Sequence, residues 1–246
     1  MSIKKTKDEL TNHKNQAILA LEQYINQLIE STDDDLMSKS DKLSYWINDW
    51  VNFLSFEERF SPMSLRRYKR GEIIKVHLGF NIGSEEGGLH YAVVLDKNNA
   101  KSSPTLTIVP LTSVKPTTDV NNLGGGRIFL GNELFTSLQA KISATEKHLN
   151  TDLKELICLN PNKDKDEINK KIKSLQDNLD LLKRIRSETM KMKRGSIALT
   201  GQITTISKIR IYDPKTDHDI LSNIKLSNEK LDLIDQELAK RYTNIN

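Results

Sequence analysis

Between residues 8 and 30 the apolar positions Ile18, Leu21, Ile25, Leu28 and Ile29 recur three and four apart in a polar background, which predicts an amphipathic helix. The stretch Ser31 to Asp35 interrupts it with turn and capping residues, and its adjacent aspartates lack the alternating spacing of a calcium loop. A second helix is predicted from Asp41 to Phe56, with Leu43, Trp46, Ile47, Trp50, Phe53 and Leu54 on one face, and Pro62 ends this extension. An aromatic stripe at that spacing reads as a docking face.

From Lys69 the period changes. Residues 72–80 (EIIKVHLGF) alternate and are β-branched, 91–96 (YAVVLD) form a short buried run, and 105–114 (TLTIVPLTSV) another. The turn-rich KNNAKSSP joins the last two, so these strands predict an antiparallel meander that closes into a small barrel. GGGRIFLG at 124–131 predicts a hairpin or a mobile glycine loop; without a following Lys-Ser/Thr pair it is not a phosphate loop.

Residues 133–192 interrupt the sheet. Ile168, Ile172, Leu175, Leu179, Leu182 and Ile185 keep helical spacing, and the segment predicts an antiparallel helical hairpin with its tip near Pro161. Strand character returns in GSIALTGQITTISKIRIYD, where Ile197, Leu199, Ile203, Ile206, Ile209 and Ile211 are the apolar positions. A terminal amphipathic helix follows the Ser-Asn-Glu capping signal at 227–229. The expected organisation is thus a helical extension (1–62), the first part of a barrel (63–132), an inserted hairpin (133–192), and the rest of the barrel with a C-terminal helix (193–246). The fold class is α+β.

Charge sharpens this picture. Residues 1–60 hold 7 Lys and Arg against 11 Asp and Glu, whereas 61–130 hold 9 against 5 and 193–215 hold 5 against 1. The two barrel segments together are strongly basic, which suits a phosphate-backbone partner or equally a solubilising lysine surface. No apolar run approaches the ~20 residues of a membrane span, and the N-terminus lacks a secretory signal, so a cytoplasmic protein without membrane contact is expected. The single cysteine, Cys158, reads as a half-buried small apolar residue of a helix.

Three blocks, RGEIIKVHLGFNIGSEEGGLHYAVVLD, TIVPLTS and GSIALTGQITTISKIRI, resemble in order and content the motif blocks of PemK/MazF-like toxins of bacterial type II toxin–antitoxin modules. The resemblance covers residues 69–131 and 194–213. It implies an SH3-like antiparallel barrel, a homodimer, a cognate antitoxin, and metal-independent cleavage of single-stranded RNA with no cofactor. Gly87 and Gly88 match the family's glycine pair. Its usual catalytic arginine two places on is His90 here, followed by Tyr91 in place of proline, and the catalytic threonine is matched by Thr112 with Ser113 beside it. In the third block the family's Glu-Gln-Ile-Arg becomes Gly201, Gln202, Ile203 and Thr204.

Metal-free RNA cleavage requires a base for the 2′-OH, an acid for the 5′-oxygen, and donors or positive charge on the phosphate. Histidine moves protons near neutrality, so His90 is the candidate acid/base group, with Thr112 and Ser113 as phosphate donors and Arg70, Lys115 or Arg127 as the charge. Ser84, Glu85 and Glu86 lie in the preceding loop. Either carboxylate orients His90 or binds substrate hydroxyls, or else caps loop amides. Gln202 and Thr204 are supporting candidates. His13, His77, His148 and His218 fall outside matched motifs and are read as structural or exposed. The alternative is a barrel that binds RNA or a protein target without cutting.

Overall fold

The computed structural model describes residues 5–160, 164–193 and 195–244. Its chain divides into two compact units, Met1–Arg59 with Gly79–Gly83, and Phe60–Leu78 with Ser84–Asn246.

The first unit holds two helices, α1 (Lys7–Ile29) and α2 (Asp34–Glu57). Thr6 starts α1 with a reciprocal cap: its hydroxyl accepts from the Glu9 amide at 3.2 Å and the Glu9 carboxylate accepts from the Thr6 amide at 2.7 Å. α2 begins well before the predicted Asp41. The Asp33 carboxylate accepts from the Asp35 amide at 2.8 Å, and Asp34 and Asp35 complement the positive end of the helix dipole. The aspartates are therefore the helix start. Leu28 and Leu43 are buried, Trp46 and Phe53 half-buried, and Trp50 and Leu54 exposed.

The second unit is the α+β body. Strands β1 (Ile73–His77), β2 (Leu89–Val94) and β3 (Thr105–Ser113) form the expected antiparallel meander. β4 (Ile128–Gly131), β5 (Ser196–Ala198), β6 (Thr204–Ser207) and β7 (Ile211–Asp213) complete one seven-stranded sheet in the order β4-β5-β3-β2-β1-β7. β3 has two successive partners on its outer edge, β6 along Thr105–Ile108 and β5 along Leu111–Ser113. A chain that pairs twice along one strand must turn between the pairings. The stretch 195–213, read as strand-like, is accordingly divided by short 3-10 turns at Thr200–Gln202 and Lys208–Arg210.

Alternation along the strands separates two cores. Ile74, Val76, Ala92, Val94, Leu106 and Ile108 pack with Ile206, Ile211 and Tyr68 on one face. Ile73, Val93, Val109 and Leu111 pack on the other against the helices α3 (Glu133–Ile157), α4 (Lys165–Lys191) and α5 (Asn228–Tyr242). Both faces are covered, which is why the strands read as near-continuous apolar runs. α3 and α4 are joined by ion pairs Glu155–Lys171 at 2.6 Å and Glu146–Arg186. The tip expected near Pro161 lies outside the described residues. Cys158 is the exposed C-cap residue of α3, not a half-buried one.

α4 is also anchored to the sheet. Glu188 accepts from both Lys75 of β1 and the Tyr91 hydroxyl of β2. Burial pushes its carboxyl up, but the Lys75 and Tyr91 hydrogen bonds outweigh that and hold it below the ordinary value. Burial and the Glu188 hydrogen bond push the Tyr91 phenol up. Lys141 of α3 donates to the carbonyls of Asp219, Ile220 and Ser222 at 2.8–2.9 Å, tying down the segment before α5. No helix among the described residues is long and apolar enough to cross a membrane.

Candidate active site

The connection between β1 and β2 closes with the Leu78 amide donating to the Gly88 carbonyl at 2.7 Å. Gly88 stands at φ +83°, a left-handed conformation that a side chain would strain. From there alternation sends His90 to the face that carries Ala92 and Val94, and Tyr91 to the opposite face with Val93. His90 thus heads a buried row and is itself half-buried. Its β1 neighbour is Val76. Tyr91 pairs with Leu111 across the antiparallel ladder, so position 112 faces position 90 one step further on.

Two groups meet at the imidazole. Nδ1–H donates to the Leu111 carbonyl at 3.1 Å. Nε2 lies 3.1 Å from Oε1 of Glu86, both side chains being 24% exposed. The carbonyl can only accept, so Nδ1 carries a proton, and Nε2 must carry one as well when it donates to the Glu86 carboxylate or to a substrate oxygen. Of the two loop carboxylates, Glu86 is thus the one joined to His90, whereas Glu85 is exposed.

Gln202 holds the loop that carries Glu86. Its Oε1 accepts from the Glu86 amide at 2.6 Å and its Nε2 donates to the Ser84 carbonyl at 3.2 Å. A single primary amide therefore spans two backbone groups, a fit that glutamate could not make because it lacks the donor. The 3-10 turn Thr200–Gln202, not a regular strand, presents this side chain.

The other expected residues divide. Thr112 is half-buried on the His90 face; Ser113, next along the strand, is exposed and belongs to the opposite face by alternation. Thr204 pairs with Ile108 at the start of β6 and is half-buried. Lys115 and Arg127 are exposed on loops flanking β3 and β4. Gly87 lies half-buried in the loop. Arg70 is not brought to the site. Its guanidinium donates to the Leu95 carbonyl and pairs with Asp235 of α5. Leu95 lies five residues beyond His90, about 17 Å at the usual strand rise.

Sequence reasoning missed what the last turn of α5 contributes. Glu237 accepts from the Gly126 amide at 2.9 Å, Tyr242 donates to the Thr200 carbonyl at 3.0 Å, and the Arg241 guanidinium lies against Gly126. The Gly124–Gly126 run was the available signal, since a glycine run admits close approach of another group. A groove of about 880 Å³ along α4, lined by Lys170, Lys173, Asp177, Asp180, Lys183 and Arg184, includes none of the residues around His90.

Residues 69–176 match the family of PemK-like, MazF-like toxins of type II toxin-antitoxin systems. The match starts at the Lys69 boundary read from the sequence and takes in β1 to β4, α3 and the first part of α4. The match supports membership of this region in that toxin family. No curated protein matches the sequence.

Proposed function

We propose that the protein is a toxin that cleaves single-stranded RNA by internal attack of the 2′-oxygen, with Glu86 and His90 as the acid/base pair. The observation that carries this reading is the contact between His90 Nε2 and the Glu86 carboxylate at 3.1 Å in a half-buried position. Glu86 takes the 2′-OH proton while the 2′-oxygen bonds to phosphorus. The P–O5′ bond breaks, and His90 Nε2–H protonates the departing 5′-oxygen. The products are a 2′,3′-cyclic phosphate and a 5′-hydroxyl, and the proton on Glu86 returns to Nε2 across the contact they share. Thr112 donates to a non-bridging phosphate oxygen from the facing strand.

The basic balance of the barrel segments supports both an RNA substrate and an acidic antitoxin partner. A homodimer belongs to the same reading. The test is digestion of a mixed-sequence single-stranded RNA in EDTA by wild type and His90→Ala. Cleavage by the wild type alone, with cyclic-phosphate ends, is the expected result. Cleavage by both proteins removes His90 from the chemistry, and salt-sensitive binding without cleavage makes the barrel a binding module.

A further inference from the structure

Three glycines and one arginine meet beside the clamp that holds Glu86. Relative to the Arg241 guanidinium, a Cβ placed on Gly126 would lie 2.5 Å from Nη2 and 2.8 Å from Cζ. On Gly125 it would lie 3.3 Å from Nη2, and on Gly201 3.7 Å from both Cζ and Nη1. The guanidinium therefore rests on bare backbone from two separate loops. The loops are themselves joined, the Gly201 amide donating to the Gly126 carbonyl at 3.1 Å.

Glu237 sets the orientation. Its carboxylate accepts from the Gly126 amide at 2.9 Å and faces Arg241 Nε at 3.9 Å, so one carboxylate fixes both the loop and the near side of the guanidinium. The terminal amino groups make no hydrogen bond among the described residues, and the Arg241 side chain is 37% exposed. A planar fork of donors fixed through its stem and partly exposed has the form that phosphate oxygens fill. Its position is defined by the chain: Gly201 adjoins Gln202, whose amide holds the Glu86 backbone.

We infer that Arg241, delivered by the C-terminal helix, binds a backbone phosphate of the RNA next to the one cleaved at His90 and Glu86. The inference rests on the ribonuclease reading and adds to it a phosphate contact from outside the region that matches the toxin family. It also accounts for the site's charge with Arg70 committed to Asp235. α5 is then part of the substrate surface as well as of the core.

The experiment measures binding of a 5′-fluorescein-labelled, 2′-O-methylated single-stranded RNA, which cannot be cut, by anisotropy over a KCl series. The full chain is used as wild type, Arg241→Ala, Arg241→Gln and Arg241→Lys, with folding checked by circular dichroism. Losing one phosphate contact lowers the slope of log affinity against log salt by about 0.7 for a single strand, so the wild-type advantage shrinks about threefold between roughly 50 and 200 mM salt. Alanine and glutamine variants are expected to show this loss, and lysine to retain the slope. Equal slopes and affinities in all four, with unmodified RNA still cut by the wild type, overturn the role of Arg241 and leave the ribonuclease reading standing. Unfolding of both uncharged variants assigns Arg241 to packing and overturns the inference. A wild type that neither binds nor cuts RNA overturns both.

Discussion

Nε2 of His90 lies 3.1 Å from Oε1 of Glu86, and on its other side the ring donates through Nδ1 to the Leu111 carbonyl at 3.1 Å. The second contact comes from β3, the strand that carries Thr112. It orients the imidazole, so Nε2 is the nitrogen presented to substrate. Replacing His90 by alanine is expected to lower cleavage by about 10²–10⁴-fold, the range for a positioned proton-transfer group. Glu86→Gln removes the proton acceptor and keeps the shape, and its cleavage should fall as well. Single-turnover rates on a defined RNA measure both, and undiminished cleavage by Glu86→Gln would remove Glu86 as the base.

Gln202→Ala deletes two hydrogen bonds to the loop backbone, each contributing about 1 kcal/mol where it is shielded from water. The loop opens without unfolding the sheet. Hydrogen exchange of the Glu86 amide is the direct readout. Its protection should fall in the variant while amides of β1 and β2 keep theirs, and an unchanged Glu86 amide would show that the clamp does not restrain the loop.

The Glu188 carboxyl is held below its ordinary value of 4.5, despite burial, by Lys75 and Tyr91. A group whose folded pKa is depressed adds stability above its unfolded pKa and loses it as pH falls through the folded one. Acid unfolding of the wild type should therefore steepen below about pH 4.5, the ordinary value for this group. Glu188→Gln should flatten that limb in urea titrations at successive pH values. At neutral pH the variant should be less stable by about 1.5–3 kcal/mol, the range for hydrogen bonds to a charged group.

Lys141 behaves in the opposite sense. Burial pushes its ammonium down to about 8 from 10.5, although three carbonyls accept from it. Between these values the unfolded chain binds more protons than the folded one, so this group makes stability rise with pH. Tyr68 and Tyr91, whose phenols burial pushes up, work against it only above about 10. Lys141→Met should remove the rise between pH 8 and 10, measured as the difference in urea unfolding free energy from wild type.

Much of the fold is legible in local pattern because its causes are local. Period two in 72–77, the short apolar run of 105–113, the Ser227 cap whose hydroxyl accepts from the Lys230 amide at 3.3 Å, and the three- and four-residue spacing of α4 each act over a few residues. His90, Thr112 and Gln202 could be singled out because they occupy matched motif positions. The short boundaries were less readable. Asp33 to Asp35 read as turn and capping residues alike, because a helix start and a turn favour the same residues, and the apolar positions of 195–213 do not show that β3 takes two partners.

The candidate site exceeds what local pattern specifies, since its contacts are long in sequence and depend on register and on where helices end. Glu86 and Glu85 are equivalent by composition; the loop path set by Gly88 and Gln202 decides that Glu86 reaches the imidazole. Arg70 looked available until α5 packed beside it and Asp235 took its guanidinium. Arg241 carried no motif, and it reaches Gly126 only because Leu231 and Ile234 bury one face of α5 against the sheet. Apolar spacing specifies that α5 is a helix with one buried stripe. Which charged residues its last turn brings to the sheet depends on the depth and rotation at which that stripe packs, a property of the whole core and not of the segment.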